Sequence, residues 1–262
     1  MTNTADYVFH NVPAQLNPLE TFLDPFTSAE LDEIVVGKGW RCMDLGAGGG
    51  SVTRMLAERV GPQGWVTAVD QDVHMVPSLP NVDIHTRDMS RDEPLPGEGG
   101  LDLIHARLLT HHLPNRREVV HRFAEALRPG GWLLLGEFIR TPPRALVMPD
   151  PVKGEIFTRV VTGFYDMMEA KGIHGYWGEE VHETMLEAGL TSVRTRWLAE
   201  SWTGGEYGCK LLHNNIAQKR DAIVEMGVPA EDIDVFLNEI MGDPSVVIRS
   251  HQFLSIRGRR PE

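Results

Sequence analysis

An α/β fold built on a parallel sheet is what this sequence predicts, and three observations carry the prediction. Short apolar runs alternate with amphipathic stretches from about residue 40 to about residue 138, which is the pattern of successive βαβ units. A glycine-rich turn, Gly46 to Gly50, joins the first apolar run to the first amphipathic stretch. An acid, Asp70, closes the second apolar run.

Each element follows in order. Trp40 to Leu45 is a first strand ending in glycines. Ser51 to Val60 is a helix with Val52, Met55, Leu56 and Val60 on one face, and Gly61-Pro62 stops it. Trp65 to Val69, Val82 to Thr86 and Leu101 to Ala106 are the next three strands. Asn115 is placed to cap a helix, with Glu118 three positions on completing a capping box. The apolar face of that helix is Val119, Val120, Phe123 and Leu127. Arg128-Pro129-Gly130-Gly131 breaks it, and Trp132 to Leu135 begins a fifth strand that ends near Glu137.

Beyond Arg140 the pattern changes. Thr141 to Pro151 carries four prolines and is expected to be a connection. Helices are expected over Ile156 to Met168, Gly178 to Ala188, Tyr207 to Met226 and Glu231 to Ile240, with strands over Thr191 to Ala199 and Val246 to Ile256. The domain expectation is one globular unit with three parts. Residues 1–39 form a helical cover, 40–140 a ligand-binding core, and 141–262 complete the sheet around a helical lid at about 203–245. Tyr7 to Phe26, rich in aromatics, belongs to the first cover.

The formal net charge is −12. An acidic surface repels phosphate backbones and anionic lipid, so neither nucleic acid nor membrane is the expected partner. Two cysteines, Cys42 and Cys209, make neither a zinc pattern nor a disulfide framework. The first residues lack the basic start and apolar stretch of a signal peptide. A cytoplasmic protein, monomeric or homodimeric, is the expectation.

A glycine turn between strand and helix lets backbone approach a ligand, and an acid about twenty residues on can hydrogen-bond a ribose diol. Dinucleotide enzymes want Gly-x-Gly-x-x-Gly, whereas here the glycines alternate and Asp44 stands two residues before the first. An acid there disfavours a pyrophosphate and suits a cation.

Asp44-Leu45-Gly46-Ala47-Gly48-Gly49-Gly50 resembles motif I of class I S-adenosylmethionine (SAM)-dependent methyltransferases. The resemblance continues through Val69-Asp70-Gln71-Asp72, Arg87-Asp88-Met89, Leu108 to Pro114 and Leu127-Arg128-Pro129-Gly130-Gly131. The flanks, Tyr7-Val8-Phe9 and Gly189-Leu190 through Gly258-Arg259-Arg260, are similar to small-molecule methyltransferases common in actinobacteria. The family implies a Rossmann-like, seven-stranded, mostly parallel sheet with an antiparallel last strand. It also implies SAM as cofactor and a small-molecule acceptor. Carried over, Asp44 would hold the cofactor's amino group, and Gly46, Ala47 and Gly48 would offer backbone contacts. Asp70 would bind the ribose, with Gln71 beside the adenine. Asp88 and the Met89 N–H would read the adenine, and Ala106 and Arg107 would lie near the methionine part.

The acceptor side is read from residue chemistry. His111 and His112 follow the fourth strand, where ligands bind, and are the candidate bases. Glu137, Tyr176, Trp177, Trp202 and His213 are candidate substrate contacts, with Arg107 expected to pair with Glu137. No metal is expected. Three other readings stand beside methylation of an O, N or C centre on a secondary-metabolite-like molecule. They are a SAM-binding non-methylating catalyst of cyclase type, an RNA or protein methyltransferase, and, more distantly, a nicotinamide-dependent oxidoreductase.

Overall fold

In chain order the elements are α1 (Pro13–Ile34), β1 (Arg41–Leu45), α2 (Ser51–Val60), β2 (Trp65–Asp70), β3 (Val82–Thr86), β4 (Leu101–Arg107), α3 (Arg116–Ala126), β5 (Leu127–Ile139), β6 (Arg144–Val147), α4 (Pro151–Ala170), α5 (Trp177–Glu187), β7 (Thr191–Leu198), β8 (Ser201–Thr203), α6 (Tyr207–Gln218), α7 (Arg220–Glu225), α8 (Ala230–Val235), β9 (Val247–Arg249) and β10 (Gln252–Arg259). A 3-10 turn, Thr110–His112, follows β4, and a π-helical turn, Phe236–Ile240, prolongs α8. The structure is a computed structural model that describes residues 13–90, 95–96 and 99–262. Part of the aromatic segment Tyr7 to Phe26, including Tyr7-Val8-Phe9, lies outside the described residues.

Two units divide the chain. The sheet unit comprises Leu23–Ile139, Tyr176–Leu198 and Phe253–Glu262; the helical unit comprises Arg140–Gly175, Ala199–Gln252 and the described residues up to Phe22.

The sheet unit holds seven strands in the order β3-β2-β1-β4-β5-β10-β7. β1 pairs in parallel with β2 and β4, β2 with β3, and β4 with β5, whereas β10 and β7 are antiparallel. This is the expected Rossmann-like sheet, mostly parallel with an antiparallel last strand. Alternation along the strands splits the core between the two faces. Met43, Leu45, Ile104, Leu133 and Leu135 pack with Val120 and Phe123 of α3 and Val181 and Met185 of α5. Cys42, Leu103 and Leu134 point the other way, to Leu56 and Val60 of α2 and Leu31 and Ile34 of α1. Layering of this kind brings Leu45, Asp70 and Arg107, the last residues of β1, β2 and β4, to one edge, where open parallel sheets bind their ligands.

A buried carboxylate ties α1 to the far strands. Glu30 is 1% exposed, and Arg196 of β7 and Arg257 of β10 donate to its two oxygens at 2.7 and 2.9 Å. The Arg196 guanidinium also lies over the ring of Phe26, 5.1 Å from its centroid.

In the helical unit, β6, β9 and β8 form a small sheet in that order, antiparallel throughout. Its core is aromatic. Phe157 stacks on Phe236 at 5.7 Å, and Phe22 meets Trp202 edge-on at 5.0 Å. Gly208 lets α6 close on the Trp202 ring, because a Cβ there would stand 2.0 Å from it. His251 is enclosed and shares a 2.7 Å hydrogen bond with the hydroxyl of Tyr165, a half-buried residue. Burial pushes the imidazole down to about 4 and the phenol upward.

Several local expectations are corrected. Asn115 takes the N-cap position of α3 but makes no side-chain cap; with ψ at 36° its backbone is outside the extended region that capping needs, and its Oδ1 is buried without a partner. β5 begins at Leu127 rather than Trp132, since Leu127 pairs with Leu101 and Arg128 to Gly131 bulge outward before pairing resumes at Trp132. The proline-rich connection contains β6, an edge strand, where proline neighbours are tolerated. The helix expected over Tyr207 to Met226 breaks at Lys219. The single strand expected over Val246 to Ile256 is two strands in two sheets, β9 and β10, with β8 as an added partner.

Two outcomes follow. Glu30→Ala removes the acceptor shared by Arg196, which solvent can reach, and Arg257, which keeps Glu33, and should lower stability by about 1–3 kcal/mol, measured by urea denaturation. Because His251 is held below its ordinary value, the folded state takes up its proton later than the unfolded state as pH falls. Its stabilisation is complete above pH 6.5 and is lost as pH drops toward 4. The loss should approach about 3 kcal/mol and should shrink in His251→Gln, as read from denaturation midpoints at pH 7 and pH 4.5.

Candidate functional site: the carboxyl edge of the sheet

The glycine loop owes its shape to backbone that only glycine adopts without strain. Gly46, Gly48 and Gly50 have φ of 70°, 55° and 75°. At Gly50 a Cβ would stand 2.3 Å from the Pro77 ring, so the loop and the segment after β2 close together only without one. The Gly46 and Ala47 N–H groups both donate to the Val69 carbonyl, at 2.8 and 3.2 Å.

Asp44 lies beneath this loop at 1% exposure. His105 Nδ1 donates to one oxygen at 2.8 Å and the Thr53 hydroxyl to the other at 2.6 Å. Both oxygens are therefore engaged inside the protein, and Asp44 braces β1 against β4 and α2. Sequence spacing did not flag His105 or Thr53; the register Asp44↔His105 across β1 and β4 places the first of them.

Asp70, at the end of β2, accepts the Gly48 N–H at 2.8 Å and the Asp72 N–H at 3.0 Å. Burial raises its carboxyl, and those backbone bonds oppose the rise. Gln71 follows it, half-buried. Asp88 holds a turn, its Oδ1 accepting the Ser90 N–H at 2.9 Å and the Ser90 hydroxyl at 2.6 Å. Met89 is buried beside it. Ala106 is fully enclosed in β4.

Arg107 corrects an expectation. Its guanidinium turns to Asp24 (2.9 Å) and Thr27 (3.0 Å) of α1 and to the Ser51 hydroxyl at the start of α2 (3.3 Å), not to Glu137. The Ser51 hydroxyl in turn donates to Asp24.

Glu137 is enclosed completely. Its Oε1 accepts the Thr110 N–H at 2.9 Å and the Thr110 hydroxyl, and its Oε2 accepts His111 Nδ1. The Thr110 oxygen receives the Trp177 indole N–H at 2.7 Å. Glu137 and Trp177 are thus corrected as substrate contacts: neither has surface to offer, and both belong to one buried chain of hydrogen bonds. The His111 side chain keeps 11% of its surface exposed, and its ring lies 3.9 Å from that of His112, centroid to centroid. Burial, with His111 and Arg116 nearby, holds His112 well below its ordinary value, in the neutral form. The turn carrying these groups starts from Leu108, whose φ of 56° is strained for leucine. Next to it, Leu109 packs so closely on the glycine loop that a Cβ at Gly46 would stand 3.2 Å from it.

The other candidates fall elsewhere. Tyr176 is 52% exposed at the start of α5. Trp202 is corrected to a core residue of the helical unit, enclosed and donating to Glu200 at 2.7 Å. His213 is half-buried on α6, 3.1 Å from the Asn214 side chain. Among the described residues, no group of three or more His, Cys, Asp or Glu side chains is arranged to hold a metal.

The edge suits SAM by the chemistry of its groups. Carboxylates at Asp70 and Asp88 are acceptors matched to a diol and an amine. Arg107, at the end of β4, has its guanidinium paired with Asp24. Thr110→Val removes the hydroxyl that bridges Trp177 and Glu137, and should destabilise the protein by about 1–3 kcal/mol with loss of near-ultraviolet Trp dichroism, measured by thermal and urea melts.

Comparison with known proteins agrees with this geometry. A family profile described as a methyltransferase domain matches residues 10–194. Methyltransferase str3 of Strobilurus tenacellus is 32% identical over 133 residues, 50% of this chain and 46% of that protein. A ubiquinone biosynthesis O-methyltransferase of Hydrogenovibrio crunogenus is 28% identical over 134 residues, 48% of this chain and 51% of that protein. The chain spans about half the length of these curated relatives. Among solved structures, a phosphoethanolamine N-methyltransferase from Haemonchus contortus, in complex with S-adenosylhomocysteine, superposes with a TM-score of 0.51 at 16% identity. The match covers 95% of this chain and 52% of that one, and at this identity it speaks for the fold. With the glycine loop, the strand-end acids and the sheet order in place, the chain belongs to the methyltransferase-domain family, of the class I SAM-dependent type.

Proposed function

We propose that this protein transfers a methyl group from SAM to a small-molecule acceptor of secondary-metabolite type, at oxygen, nitrogen or carbon. The observation that carries the reading is Asp70, which stands at the carboxyl end of β2 with one oxygen on the Gly48 N–H. One carboxylate thereby shapes the glycine loop and offers its remaining lone pairs to a ribose diol. Gly46, Ala47 and Gly48 supply backbone to the methionine and ribose parts, Gln71 flanks the adenine, and Asp88 and the Met89 N–H read its edge. Ala106 borders the methionine part. Asp44 and Arg107 act from beneath and beside the loop, fixing it to β4, α1 and α2.

The acidic balance of −12 supports a small acceptor over a polyanion. One relative is by name a ubiquinone biosynthesis O-methyltransferase, an enzyme of small-molecule biosynthesis. Two free, buried cysteines accord with a cytoplasmic setting. Among the described residues no helix is long and apolar enough to cross a membrane.

SAM carrying a labelled methyl group, incubated with the protein and a metabolite panel, tests the reading. Label in a small-molecule product supports it; substrate turnover with the label left on SAM supports a cyclase-like catalyst instead. Asp70→Ala should weaken S-adenosylhomocysteine binding about a hundredfold, since two charge-assisted hydrogen bonds of ~1.5 kcal/mol each are lost. Calorimetry that finds unchanged affinity would overturn the ribose assignment.

A further inference from the structure

We propose that His111 is the general base of this enzyme, held by Glu137, and that the acceptor is therefore a hydroxyl that still carries its proton at neutral pH. The inference rests on the reading of the chain as a SAM-dependent methyltransferase. It is drawn from the buried chain Trp177–Thr110–Glu137–His111 and from where that chain ends.

Enclosing a carboxylate is costly unless its oxygens are bonded. Glu137 Oε1 is bonded twice to Thr110, which leaves Oε2 aimed at a single group, His111 Nδ1. A carboxylate accepts, so Nδ1 donates and Nε2 is the bare, basic nitrogen on the opposite side of the ring. This is the arrangement in which an acid fixes the tautomer of a base and steadies the imidazolium that forms. Nε2 belongs to the turn Thr110–His112 at the carboxyl edge, two residues after the leucine that packs on Gly46. The strain at Leu108 sits at the root of that turn.

The charged and titratable groups around the His111–His112 pair come from four elements. Glu137 is on β5 and His112 on the same turn; Arg116 is on α3, and Glu180 of α5 balances Arg116. His112 stays neutral, so no second imidazolium opposes a proton arriving on His111.

The proton inventory selects the acceptor. A carboxylic acid is already ionised at neutral pH and needs no base. An alcohol or a phenol keeps its proton at that pH and gains from a positioned imidazole as its oxygen attacks. A phenol, with a pKa near 10 as in tyrosine, lies within reach of a positioned imidazole. His111 Nε2 takes the hydroxyl proton while an oxygen lone pair is freed for attack, and the imidazolium faces Glu137 until the proton leaves to solvent. When bound, SAM supplies an electrophilic methyl carbon: the O–C bond forms as the C–S bond breaks, and its electron pair stays on sulfur.

The test uses the full chain with ¹⁵N-labelled histidine, His111 being assigned by its loss in His111→Asn. A two-bond ¹H–¹⁵N spectrum at pH 7.5 should show His111 protonated on Nδ1 and bare on Nε2. Sinefungin, which carries an ammonium in place of the sulfonium, should move the Nε2 signal more than S-adenosylhomocysteine does. With catechol, 4-methylphenol, 4-nitrophenol, benzylamine and benzoate as probe acceptors, label from SAM should enter the phenols. His111→Asn should cut kcat on 4-methylphenol about a hundredfold or more with unchanged affinity for S-adenosylhomocysteine. The loss should be less than about tenfold on 4-nitrophenol, which is ionised without help. Glu137→Gln should give an intermediate loss and a weakened Nδ1–H preference. A proton on Nε2 in the bound state, equal ligand-induced shifts, equal losses on the two phenols, or transfer confined to the amine would overturn the proposal. If no probe is methylated, the tautomer and the two ligand shifts decide it. Failure to bind S-adenosylhomocysteine strikes the SAM reading instead.

Discussion

A fully enclosed carboxylate, Glu137, constrains the functional edge of this protein. Taken out of water, its oxygens had to find donors, and they found them in the turn after β4: the Thr110 N–H and hydroxyl and His111 Nδ1. That requirement fixes the turn to the end of β5. It draws the indole of Trp177 down from α5 through Thr110 and sets the orientation of the His111 ring. The strained backbone of Leu108 persists because these bonds over-determine its position.

The same logic recurs across the sheet unit. Asp44 is enclosed by His105 and Thr53, and Glu30 by Arg196 and Arg257. Each acid joins elements distant in sequence and holds a layer in register: β1 to β4 and α2 in the first case, α1 to β7 and β10 in the second. Removing Asp44 leaves the buried His105 without its acceptor, which is why this position is sensitive although the net worth of an intact buried pair is modest. Asp70 differs. It is anchored only by backbone N–H groups at the open edge of the sheet, so its carboxylate both shapes the glycine loop and remains available to a ligand. Four acids thus have two kinds of work, and burial with side-chain donors separates them.

The helical unit is built on other terms. Its core is aromatic and its polar interior is sparing: Trp202 and Tyr207 share Glu200, and Tyr165 shares a bond with His251. Close approach at Gly208 and Gly163 seats α6 on Trp202 and α4 on Val228. His251, buried and held neutral by that burial, makes this unit sensitive to acid.

The sequence by itself determined the cofactor half of the protein. Alternating glycines, an acid at the end of the second strand and the Pro129-Gly130-Gly131 turn are local features, and local features are written in neighbouring residues. Strands β1 to β4, helix α2 and the sheet's parallel character were legible for that reason. What only the tertiary structure decided was the partnership of groups far apart in the chain. Arg107 turned to Asp24 and not Glu137, Trp177 and Trp202 went to cores and not to a pocket wall, and Val246 to Ile256 divided between two sheets. Periodicity reports which face of an element is buried, but not which of several carboxylates a buried donor will meet. That choice was made by packing across 26 or 27 residues in the Glu137 chain and 61 between Asp44 and His105, where the cost of an unpaired polar group, rather than any local preference, sets the answer.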